Sequence, residues 1–158
     1  MIFKDENGIY CNVKFLKSDL NKAEFINIDC KHVIRYENPY KYQTKNYDFF
    51  KLKDTIINGI SFSKFKLESI KPKRVKRKKI GTQYYIIDNK TSFHLPILYF
   101  STAYEEWKTD SKIPNGIFNQ TYFIDYHGFL DSKEKLINYW KTDKKIVINN
   151  DCDYTKKK

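Results

Sequence analysis

The sequence predicts a mainly β chain: a short β-solenoid over residues 1–70, a basic segment at 71–79 and a small α+β module over 80–158. Three observations carry this reading. Residues 8–32 repeat with a period of five. Seven of the eleven net positive charges fall in a single nonapeptide. Beyond it, strand and helix signals alternate without a repeat.

Cut into fives, residues 8–32 read GIYCN, VKFLK, SDLNK, AEFIN, IDCKH. The third position is always apolar or aromatic: Tyr10, Phe15, Leu20, Phe25, Cys30. The first is mostly small: Gly8, Val13, Ser18, Ala23, Ile28. Neither the 3.6-residue turn of an α-helix nor the two-residue pleat of a strand gives a period of five. Fixed-period self-similarity points to stacked repeats. These residues resemble the pentapeptide-repeat family, and SDLNK and AEFIN are the nearest to its pattern. The resemblance implies a right-handed, four-sided β-helix with first and third side chains inside. A second block at 45–69 is shifted in phase, with Tyr47, Leu52, Ile57, Phe62 and Leu67 at third positions. Residues near Tyr36–Tyr40 must then bulge out, and Phe50, Ile60 and Phe65 are large for first positions. The alternative is a meander, with strands at Asn12–Leu16 and Ala23–Asp29 and Leu20 exposed in the turn between them.

The basic segment is Lys71-Pro-Lys-Arg-Val-Lys-Arg-Lys-Lys79. Residues 1–70 carry 12 Lys/Arg against 9 Asp/Glu, and residues 80–158 carry 11 against 10. The basicity is therefore local, set between two nearly balanced halves. Seven cations in nine residues repel one another unless anions are near, so Lys71, Lys73, Arg74, Lys76, Arg77, Lys78 and Lys79 are the candidate phosphate-binding residues. A solvated linker is the plain alternative. With two Arg against five Lys, bidentate base readout is not indicated. Lys156–Lys158 adds a smaller basic tail.

In the C-terminal module, Ile80–Lys90 reads as a strand ending in a turn at Asp88-Asn89, and Phe93–Phe100 is an apolar run broken by Pro96. Ser101–Lys108 opens with a hydroxyl and then carboxylates, a helix start. Thr121–Tyr126 alternates like a strand, and Ile146–Ile148 is a last short strand. Asp131–Lys141 reads as the best helix in the chain, with Asp131 as N-cap and Leu136, Ile137 and Trp140 on one face.

Catalytic signals are weak. His32, His94 and His127 share no motif spacing, and no metal site or cofactor motif is present in the sequence. His127, in Asp125-Tyr-His-Gly-Phe-Leu-Asp131, is the one candidate general base, against a plain strand-to-helix turn at Gly128. For Tyr84 and Tyr85, core or strand roles outweigh base stacking at this aromatic content.

Three cysteines, Cys11, Cys30 and Cys152, with no CxxC spacing argue against a disulfide framework and for a reducing, intracellular compartment, cytoplasm or organelle matrix. The start Met1-Ile-Phe-Lys-Asp-Glu lacks the pattern of a signal peptide, and no apolar run is long enough to span a membrane. The expectation is a non-enzymatic binding or scaffold protein in a nucleoprotein complex, ribosome-like, contacting RNA more than DNA and other proteins. The alternatives are a small RNA-cleaving nuclease or toxin using His127, and a structural subunit of an organellar membrane complex.

Overall fold

A computed structural model of the chain describes residues 1–4, 9–35 and 41–154. The architecture is mainly β, built of antiparallel ladders with a few helices and one parallel pair. It divides into two units, Met1–Asn38 together with Trp140–Lys158, and Pro39–Tyr139. The boundary expected at 71–79 is therefore corrected: that segment lies inside the second unit and joins two neighbouring strands of one sheet.

In the larger unit, strands β5 (Tyr47–Ile57), β6 (Ile60–Ser69), β7 (Thr82–Ile87), β8 (Phe118–Ile124) and β9 (Leu130–Lys135) form an antiparallel meander in chain order. Asn58 and Gly59 turn β5 into β6 with φ of +52° and +77°. Two left-handed residues are what a tight hairpin needs to match the twist of its strands. Strand alternation sends Phe49, Phe65, Leu67, Tyr85, Ile87 and Phe118 to one face, where they are buried. The long excursion from β7 to β8 covers that face with Leu98, Ile113 and helix α3 (Ser101–Asp110), which contributes Ala103, Tyr104 and Trp107. Fully buried Thr91 closes the excursion: its hydroxyl donates to the Asp88 carbonyl at 2.7 Å and accepts from the Ile117 N–H at 2.7 Å.

The smaller unit pairs strands β1 (Ile2–Lys4), β2 (Ile9–Asn12) and β4 (Val33–Arg35) in one antiparallel sheet. Strand β3 (Phe25–Ile28) pairs in parallel with β10 (Lys145–Ile148) from the far end of the chain. Ile9, Cys11, Ile26, Ile28, Val33 and Cys152 form its core. Lys144 Nζ donates to the Asn21 and Ala23 carbonyls at the end of helix α1 (Lys17–Lys22). A disulfide joins Cys30 to Cys152 across 122 residues, with Cα atoms 5.4 Å apart, while Cys11 is free and buried. This bond runs against the expectation that the cysteines build no disulfide framework.

Among the described residues no closed β-helix forms. The period-five segment is instead strand β2, helix α1, strand β3 and a 3-10 turn at Cys30–His32. Phe15 and Phe25 are 37% and 51% exposed, and Tyr10 and Leu20 are only half-buried. The strand pleat explains it: Ile9 and Cys11 point in, so Tyr10 between them cannot, and Ile26 and Ile28 point in while Phe25 does not. In the second block the third positions do not share one face either: Leu52, Ile57 and Phe62 lie on the side opposite Leu67. Gly8, the expected bulge at Tyr36–Tyr40 and the Lys156–Lys158 tail lie outside the described residues.

The strand over Thr82–Ile87, the helix from Ser101 and the strand at Lys145–Ile148 stand where the sequence predicts them. Phe93–Phe100 forms no strand, burying only Pro96 and Leu98. The helix expected at Asp131–Lys141 is also corrected: Leu130–Lys135 is edge strand β9, and residues 136–144 are not helical. Pairing of Ser132–Lys135 with Gln120–Phe123 overrides local helix propensity. Every residue of β9 is exposed, and its charges discourage further strand addition at that edge. No helix among the described residues is long and apolar enough to cross a membrane.

Candidate nucleic-acid interface

Residues Pro72–Lys78 of the basic segment form helix α2. Pro72 occupies the first helical position, where its missing N–H costs nothing, and Lys79 ends the helix in a left-handed conformation. The N–H of Val75 bonds to the Lys71 carbonyl at 3.0 Å, and that of Ile80 to the Val75 carbonyl at 3.2 Å. The segment is thus a shaped connector between β6 and β7.

The seven sequence-predicted cations divide into two kinds. Lys71, Lys73, Lys76, Arg77, Lys78 and Lys79 are exposed, and among the described residues no acidic side chain pairs with them. Arg74 is half-buried, and its Nη2 donates to Gln43 Oε1 at 2.7 Å. It ties α2 to the 3-10 turn at Lys41–Asn46 and is a positioning residue. Its Nε is buried without a protein partner.

The strands that α2 connects carry a second set of groups, on the face opposite the core. Pairing across all five strands aligns Phe50, Lys66, Tyr84, Tyr122 and Lys133 in one row. The Tyr84 and Tyr122 rings stack, centroids 4.7 Å apart and 5° from parallel. Lys64 Nζ lies 5.6 Å and 5.9 Å from those centroids, and Lys66 Nζ lies 5.5 Å from the Phe50 ring. Lys66 also pairs with Glu68 at 2.6 Å. Alternation separates Tyr84 from its neighbour Tyr85, which is buried against Phe49 and Phe118. Burial pushes the Tyr85 phenol up from its ordinary pKa.

His127 sits in the exposed turn between β8 and β9. Asp125 accepts there from the backbone N–H of His127 at 2.9 Å and of Phe129 at 2.8 Å, so this carboxylate holds the turn. Gly128 supplies the required left-handed φ of +89°. Neither the cleft at Gln83, Tyr99 and Glu134 nor the one at Lys51, Ser63 and Lys112 receives a residue from 125–131.

An acidic group on α3 makes the other electrostatic feature of this unit. Glu106 is buried and its pKa is raised, first by desolvation and then by Asp48 and Asp110. Lys112 counters them, 2.7 Å from Asp48 and 3.1 Å from Asp110, and those hydrogen bonds raise its own pKa. Among the described residues no three His, Cys, Asp or Glu side chains are arranged to hold a metal ion.

No protein-family model matches the chain, and no curated protein or solved structure matches it.

Proposed function

We propose that the chain is a non-enzymatic nucleic-acid-binding protein, working within a nucleoprotein assembly and holding phosphates through α2. The observation that carries this reading is the six exposed, acid-free cations fixed on one short helix and its caps. A flexible linker would let such charges spread apart. A helix holds them together, and their repulsion is relieved by condensed phosphates. Lysines dominate the set, so contacts to backbone position the protein without reading sequence. The disulfide weighs against the reducing compartment expected from the sequence and favours an oxidising one.

Immobilised protein challenged with total RNA tests the reading. RNA should be retained and recovered uncut, and retention should fall when Lys71, Lys73, Lys76, Arg77, Lys78 and Lys79 are all changed to Gln. Cleavage lost on His127→Ala would instead favour a nuclease.

A further inference from the structure

We infer that the end of the sheet nearest α2, on the face opposite the core, is a base-stacking platform for single-stranded nucleic acid, with the row Phe50, Lys66, Tyr84, Tyr122 and Lys133 beneath the bases. This deepens the proposal for α2 and rests on it.

A cross-strand tyrosine pair alone stabilises a sheet and needs no ligand. Three further features of this pair point to one. The rings lie on the face turned away from the apolar core, half-buried, and Phe50 in the same row is 37% exposed. The face is cationic: the pairing places Lys64, Lys66, Lys133 and Lys135 on it against Glu68 and Asp48, and Asp48 is taken up by Lys112. Finally, the row adjoins the phosphate-binding helix. Tyr84 is two residues into β7, so it stands about 7 Å from the end of the strand at which α2 arrives.

The occupant follows from that chemistry. Stacked aromatic rings take the π-face of any base, and lysines beside them track the backbone. A duplex hides its base faces and could use only the cations. The row crosses four inter-strand gaps, roughly 19 Å, enough for a short run of splayed nucleotides. Ile86 and Phe62, on the same side, are buried, so the platform is the row nearer α2.

The test measures affinities of the full chain for fluorescein-labelled oligo(U), oligo(dT) and a duplex of equal length at one salt concentration. Changing Tyr84 and Tyr122 together to Ile, a good strand former, should weaken both single strands by about tenfold or more and leave the duplex unchanged. The slope of log affinity against log salt should not move, since no cation is lost. Changing both tyrosines to Phe should keep wild-type affinity. Oligo(U) containing 4-thiouracil, irradiated on the unmodified protein, should crosslink within β5, β7 or β8. Oligo(U) held more tightly than oligo(dT) would assign the natural ligand to RNA, and the reverse to DNA. Equal loss on duplex and single strands, no loss on either, or crosslinks confined to α2 would overturn the platform. If the six-fold α2 variant keeps its salt slope, the phosphate reading fails; if that slope falls but the tyrosines prove silent, only the platform fails.

Discussion

The two units of this chain are held together by different means. The larger is a continuous meander in which each strand pairs with the next, so its contacts are mostly local in sequence. The smaller is made from the two ends of the chain, joined by the parallel β3–β10 pair and the Cys30–Cys152 bond. Local pairing can form without the ends meeting, whereas the smaller unit needs a loop of more than one hundred residues to close first. Helix α2 and the tyrosine row both belong to the larger unit, whose strands pair without residues from either end of the chain.

Breaking the disulfide should have the largest effect, and it should fall on one side of the comparison. Cys30→Ser removes a closed loop of 122 residues, and the loss should be roughly 4–5 kcal/mol, confined to the smaller unit. Calorimetry should show one transition moving down while the other stays. A common shift of both transitions would mean that the two units unfold as one.

Thr91→Val should act on the larger unit alone. It keeps the shape of the side chain but leaves the Ile117 N–H buried without its acceptor, at a cost of about 1–3 kcal/mol. The same calorimetric scan reads it, and the transition that Cys30→Ser lowers should not move.

Glu106→Gln is the smallest effect and sharpens the account of the larger unit. The carboxyl's folded pKa lies above its unfolded value of about 4.3, so protonation favours the folded state. Its stabilisation is present below that pH and is lost as pH rises through the raised folded value. The Gln variant should therefore melt higher than wild type at pH 7 and no higher at pH 4. A variant less stable at pH 7 would show that the Glu106 carboxylate is wanted as an anion.

Legibility in the sequence followed the range of the interactions. Strand β7 and helix α3 were readable because their signals are local: alternation through Thr82–Ile87 and the start at Ser101. Strand β9 was not, because Asp131–Lys135 reads as a good helix start until β8 is known to lie beside it. The Asn58-Gly59 turn was written plainly, yet a period-five reading absorbs it into TIING. Three cysteines hide a disulfide once one of them, Cys11, is a core residue. At the interface, the charge run was readable from composition, while the inward turn of Arg74 needed Gln43 from a segment 31 residues away. Tyr84 and Tyr85 look alike in the sequence, and only the pleat and the strand order send one to the core and the other to its stack with Tyr122.

The central claim is that α2 holds phosphates. Its most direct test is the dependence of binding on salt, measured with a single-stranded oligonucleotide for wild type and for the variant with Lys71, Lys73, Lys76, Arg77, Lys78 and Lys79 all changed to Gln. Each lost phosphate contact should remove about 0.7 from the slope of log K against log salt, so six should flatten it by roughly 4. An unchanged slope in a folded variant would make the helix a connector between two strands and contradict the claim.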